Sequence, residues 1–149
     1  MKEAIIVAAG RKDYENLIAV WESSVRATHH FLSEKDVIKY RSLILNEYFD
    51  QVRLYAVKVE EEVMGFLGIN KKTIQMLFIH PHVRGKGLGK RLIDFAKKEH
   101  DAYMVDVNEQ NEQAVGFYEK LGFVTVERSE IDAAGKPFPI LSMALQRKN

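Results

Sequence analysis

The chain has 149 residues and a mass of 17.2 kDa, a size at which a single domain is expected and can bury about two-thirds of its unfolded surface without a disulfide or metal staple. It has no cysteine, which excludes thiol catalysis, iron–sulfur clusters and a disulfide framework. With 22 Lys and Arg against 21 Asp and Glu the net charge is +1, so no global field recruits nucleic acid, and no apolar run approaches the ~18 residues of a membrane span. The expectation is one soluble, cytoplasmic domain over residues 1–149.

In chain order, residues 4–8 are a short apolar run that predicts a first strand. From Asp13 the period changes: Leu17, Ile18, Trp21 and Val25 recur at helical spacing, with Asp13 placed to cap the helix. A second helix opens at Ser33, with Asp36 in capping-box position, and carries Val37, Tyr40, Ile44 and Tyr48 on one stripe. The connection between them is rich in aromatic and imidazole groups, including His29 and His30. Residues 53–59, 63–69 and 73–79 read as strands of an antiparallel meander, joined by Glu60-Glu61-Glu62 and Asn70-Lys71-Lys72. A helix follows Gly89, then a strand at 102–106, a helix at 114–121 and strands at 123–131 and 140–145. Strands alternating with helices after a meander predict an α/β fold, a mixed sheet with helices on both faces.

The segment that carries chemistry begins where the third meander strand stops at His80-Pro81. Arg84-Gly85-Lys86-Gly87-Leu88-Gly89-Lys90 follows, and an amphipathic helix starts at once. Glycine lets the loop turn and lets a ligand approach its amides. A helix N-terminus adds unpaired N–H groups, and Arg84, Lys86 and Lys90 supply counter-charge for phosphate. The segment reads as a pyrophosphate cradle. Its G-x-G-x-G spacing fits neither the dinucleotide fingerprint nor the Walker A loop. A turn that merely joins a strand to a helix is the plainer reading, but three glycines interleaved with basic residues exceed what such a turn needs. His80 and His82 bracket Pro81 with no third ligand nearby, so no metal site is expected.

Arg84-Gly85-Lys86-Gly87-Leu88-Gly89 matches the pattern R/Q-x-x-G-x-G/A, and Asn111-Glu112-Gln113-Ala114-Val115-Gly116-Phe117-Tyr118-Glu119-Lys120-Leu121-Gly122-Phe123 matches N-x-x-A-x-x-F-Y-x-x-x-G-F. Both blocks, in this order, resemble the GCN5-related N-acetyltransferase (GNAT) family over nearly the whole chain; residues 106–111 and 130–139 are similar to its small bacterial YjaB-type branch. The resemblance implies the acyl-CoA N-acyltransferase fold, with a mostly antiparallel sheet splayed at its centre. It implies an enzyme that moves an acetyl group from acetyl-CoA to a primary amine of a small molecule, amino acid or peptide, by direct attack in a ternary complex. By the same resemblance the backbone of Leu77, Phe78 and Ile79 pairs with the pantetheine arm. The amides from Gly85 through Leu88 and Gly89 to Lys90 take the pyrophosphate, Asn111 bonds the cofactor, and Tyr118 protonates the departing sulfur. Core packing for residues 77–79, a helix cap for Asn111 and a satisfied core hydroxyl for Tyr118 are the plain structural readings of the same residues. Backbone N–H groups near Leu77 to Ile79 are the expected oxyanion donors.

The general base is open. Some relatives carry a glutamate where this chain has Gln75, which cannot take a proton. Asp106, five residues before Asn111, matches a position where certain relatives carry a catalytic glutamate. His29 and His30 fall in the loop that walls the acceptor site in the family, and histidine titrates near neutrality. A water relay needs no dedicated base. No acidic acceptor groove is visible, and Arg26 with the histidines suits an acceptor bearing a carboxylate. A non-catalytic acyl-CoA-binding module and transfer of a longer acyl group stand as alternatives. A monomer and a homodimer through the last strands are both compatible with the pattern.

Overall fold

A computed structural model describes residues 3–146. The elements run β1 (Ala4–Ala9), α1 (Tyr14–Thr28), α2 (Glu34–Leu43), β2 (Arg53–Val59), β3 (Glu62–Asn70), β4 (Thr73–Ile79), α3 (Leu88–His100), β5 (Met104–Asn108), α4 (Glu112–Lys120), β6 (Phe123–Ser129) and β7 (Ile140–Leu145). The strands form one seven-stranded sheet in the order β1-β2-β3-β4-β5-β7-β6. β1 to β4 are an antiparallel meander, β5-β7-β6 are antiparallel to one another, and β4 and β5 join the two halves in parallel.

The expected α/β architecture is present, and its two cores lie on opposite faces of the sheet. Leu17, Ile18, Trp21 and Val25 of α1 pack with Val37, Ile44, Phe49 and Phe66 on one face. Leu88, Leu92, Ile93 and Ala96 of α3 pack with Val105, Tyr118, Phe123 and Met143 on the other. The helical spacing in α1 and α3 therefore marks a single buried stripe on each, as 3.6-residue periodicity requires.

Local chemistry moves several boundaries. The Asp13 carboxylate accepts the Gly10 N–H at 2.9 Å and closes a 3₁₀ turn over Arg11–Asp13, so it does not cap α1 with its side chain. The capping box at α2 forms as predicted: Ser33 Oγ accepts the Asp36 N–H and Asp36 Oδ2 accepts the Ser33 N–H, both at 3.1 Å. α2 then loosens into a π turn over Ile44–Tyr48 and a 3₁₀ turn over Phe49–Gln51. β5 starts two residues late because Asp101 takes a left-handed conformation and the Ala102 N–H returns to Ala96 O, the Schellman closure of α3. α4 starts at Glu112 because Asn111 caps it. β6 stops at Ser129, whose hydroxyl bonds to the backbone of Ile131.

Candidate active site

β4 and β5 share only the pairs Thr73↔Met104 and Ile74↔Val105. Beyond them the strands part, so the sheet forks at Gln75 and Asp106. The outer edge of β4 is then left without a strand partner. The His80 N–H donates to Met64 O on β3. By the alternation of antiparallel pairing, Ile79 and Leu77 therefore turn their N–H and C=O groups the other way, toward the fork. A cleft of about 730 Å³ passes through this gap and is lined by residues from α1, α2, β4, β5, α4, β6 and β7. Leu77, Phe78, Asp106, Asn111, Tyr118 and His29 all line it.

Tyr118 is 5% exposed. Its hydroxyl has no hydrogen-bond partner among the described residues, yet it is not sealed off, because it reaches the cleft. The reading of a satisfied core hydroxyl does not apply. Burial raises its pKa, so the phenol keeps its proton at neutral pH. Asn111 Oδ1 accepts the Ala114 N–H at 3.3 Å as a helix cap, and the side chain still lines the cleft.

Asp106 receives a hydrogen bond from Ser142 Oγ at 3.0 Å. Burial lifts its pKa above the usual carboxylate range, Ser142 partly offsets this, and the Glu127 charge adds to the rise. His29 packs on Phe31 and Phe78. The Thr28 hydroxyl donates its proton to Ser24 O and so accepts from His29 Nδ1–H at 2.8 Å, which fixes the neutral tautomer. Burial, then Arg84 and His30, lower the His29 pKa to about 4. An imidazole that weakly basic is a poor proton acceptor at neutral pH. His30 is exposed and does not line the fork cleft; it stands at a small neighbouring hollow with Arg26 and Glu34. Of the candidate bases, Asp106 lines the cleft with its pKa raised by burial, His29 lines it with its pKa lowered, and His30 stands outside it.

The glycine loop lies past the end of β4, outside the lining of the main cleft. Gly85 and Gly87 have φ of 74° and 83°, and no atom stands within 4 Å of the place where a Cβ would sit on either. They are needed for conformation. Gly89 is needed for space: a Cβ there would come within 3.2 Å of the Phe117 ring. The first turn of α3 has no side-chain cap, so its amides are open. Leu88 buries its side chain in the core and offers only its amide. The cations are less free than the sequence suggests. Arg84 Nη2 lies 3.4 Å from both Ser24 O and Ser24 Oγ, and Nη1 lies 3.5 Å from Gln113 Oε1; Lys90 pairs with Asp94 at 3.0 Å. Lys86 is exposed.

Two expectations about the acceptor change. Arg26 is held by Glu34 at 2.7 and 2.8 Å and by Glu22 at 3.0 Å, so it has no charge to offer a carboxylate. The cleft wall instead carries Asp106, Glu127 and Asp132, from strands and a loop far apart in sequence. Glu127, Asp132 and Tyr40 were not legible as site residues, because only strand register and loop closure bring them together.

A sheet forked between parallel strands, a free strand edge at the fork and a glycine turn opening a helix define an acyl-CoA-dependent N-acyltransferase. The chain belongs to the GNAT acetyltransferases: the family model described as "Acetyltransferase (GNAT) domain" matches residues 23–145. It is 42% identical over 130 residues to the peptidyl-lysine N-acetyltransferase YjaB of Salmonella typhimurium, covering 87% of this chain and 89% of that protein. The solution structure of apo YjaB from Escherichia coli superposes with a TM-score of 0.86 at 38% identity, covering 95% of this chain and 97% of that one. The crystal structure of PaiA N-acetyltransferase from Thermoplasma acidophilum in complex with coenzyme A shares the fold, with a TM-score of 0.73 at 21% identity over 95% and 99% of the two chains. The protein is an N-acetyltransferase that transfers an acetyl group to an amine.

Proposed function

We propose that residues 1–149 act as one domain that acetylates the ε-amine of lysine side chains in peptides or proteins, with acetyl-CoA as donor. The observation that carries this reading is the acidic lining of the cleft at the fork, where Asp106, Glu127 and Asp132 suit a cationic acceptor and oppose a carboxylate. The activity named for YjaB points the same way.

The residues present fit the donor. The free edge of β4 at Leu77 and Ile79 can pair with an amide-bearing arm as an added strand. The open amides from Gly85 to Lys90 suit a pyrophosphate, with Lys86 beside them. Acetyl-CoA supplies an activated thioester. The protein's own groups do the rest. Asp106 takes a proton from the acceptor ammonium, and its raised pKa brings its basicity closer to what that transfer needs. Outward N–H groups of β4 stabilise the negative charge that develops on the carbonyl oxygen. Tyr118 gives its proton to the departing sulfur, a role its unpartnered and protonated hydroxyl fits.

Release of the CoA thiol from acetyl-CoA with a lysine-containing peptide tests this. The same peptide with arginine in place of lysine and a blocked N-terminus should release none. Tyr118→Phe should bind acetyl-CoA as tightly by calorimetry and lose roughly 10- to 100-fold in kcat. Release with amino-acid or other carboxylate-bearing acceptors, but none with lysine peptides, would remove the lysine assignment.

A further inference from the structure

The acidity of the cleft has a local cause in β6. Phe123 and Thr125 stand opposite Leu145 and Met143, and Val124 stands opposite Ala144 on the alternate face. Unbroken alternation would next place Val126 opposite Ser142 and Arg128 opposite Ile140. Instead Val126 is an extra residue with no ladder partner, and it is Glu127 and Ser129 that face Ser142 and Ile140. A one-residue bulge reverses the facing of every side chain beyond it. The outcome is an exchange of charge: Glu127 and Ser129 line the cleft, while Arg128 turns to Glu109, bonded at 2.6 and 3.0 Å.

Register then builds a row across three strands. Asp106 and Glu127 are the two neighbours of Ser142, one on each side. Two strand spacings put their backbones roughly 10 Å apart, which leaves room for an ammonium group between the carboxylates. Ser142 orients Asp106. Glu127 has no ion pair among the described residues. The same cleft holds the Tyr118 hydroxyl, on a side chain only 5% exposed and without a hydrogen-bond partner among the described residues. A reacting group is thus aimed into the space that this row borders.

We propose that Glu127 is the specificity-determining residue of the acceptor site: its carboxylate docks the ammonium of a lysine side chain and holds it over Ser142, within reach of Asp106. This rests on the lysine reading above. The ammonium proton passes to Asp106 and the freed nitrogen lone pair forms the bond to the acetyl carbonyl carbon. The carbon–sulfur bond then breaks, the sulfur takes the Tyr118 proton, and the second proton shed by the nitrogen is lost to solvent, from which Tyr118 is reprotonated. Without the bulge, a valine and an arginine would occupy this wall, and the arginine would repel the same substrate.

The test compares wild type, Glu127→Gln and Glu127→Asp on two peptides with acetyl-CoA. One carries a single lysine and a blocked N-terminus; the other has its N-terminal amine alone. Glu127→Gln should raise KM for the lysine peptide about tenfold with little change in kcat. It should change the second peptide less, and Glu127→Asp should recover most of the loss. Acetyl-CoA affinity by calorimetry should be the same in all three proteins. An unchanged KM for the lysine peptide in Glu127→Gln, with wild type active on it, overturns the role of Glu127 and leaves the lysine reading standing. A joint loss of kcat and acetyl-CoA affinity overturns it as well, since that marks a structural role. Wild-type activity on the N-terminal amine alone, or on neither peptide, overturns both.

Discussion

Burial acts on Asp106 and His29 in the same sense and moves their pKa values in opposite directions, because each loses the solvation of its charged form. For His29 the folded value of about 4 lies below the ordinary 6.5. Its contribution to stability is present above pH 6.5 and disappears as pH falls toward 4, amounting to roughly 3 kcal/mol at most. Denaturant midpoints measured at pH 7 and pH 4.5 should show that loss, and His29→Gln should flatten it. For Asp106 the folded pKa is raised, so its favourable contribution belongs to low pH and is lost as pH rises through the folded value. Asp106→Asn should therefore raise the denaturation midpoint at pH 8 while lowering kcat/KM by at least tenfold. A variant that loses both stability and activity would show that Asp106 is held for packing.

At the scale of elements, the turn from β4 into α3 depends on Gly87 at φ 83°. Gly87→Ala meets no atom within 4 Å, so its effect is purely conformational, about 1–2 kcal/mol for a left-handed residue. Chemical denaturation should read that loss, and calorimetry should show weaker binding of coenzyme A, since the same turn aims the amides. This turn was legible from sequence because its chemistry is local: glycines, an uncapped helix start and an apolar stripe lie within one stretch. The capping box at Ser33 and the strand at residues 140–145 were legible for the same reason. The bulge at Val126 was not, since the run from Phe123 onward alternates well enough to read as one plain strand. The π turn over Ile44–Tyr48 carries no breaker residue that would announce it in the sequence. The acidic wall depends on which residues oppose Ser142, a fact of register and not of spacing along the chain.

On the scale of the whole molecule, the fork leaves two half-sheets joined by a ladder of only two register pairs, Thr73↔Met104 and Ile74↔Val105. A second connection lies on the other side of the cleft. The loop between β6 and β7 reaches α2 through the Tyr40 hydroxyl on Asp132, the Lys136 ammonium on Asp36 at 3.3 Å, and the Phe138 ring, 5.6 Å from Phe31 and 6.3 Å from Tyr40. This strap and the ladder flank the cleft, so the spread of the fork is set by both. The ion pair is partly buried, and the ring contacts and the Tyr40 hydrogen bond add to the restraint it gives. Combining Tyr40→Phe with Phe138→Ala should release the strap and leave the two cores intact. Amide exchange should then quicken about tenfold in β5 and in residues 130–139, with β2 and β3 unchanged. Coenzyme A bound along β4 should slow exchange in β5 again, because it bridges the gap that the strap no longer limits. Faster exchange throughout the sheet would mean that the two substitutions weaken the fold as a whole. No change in β5 would mean that the ladder pairs alone hold the halves together.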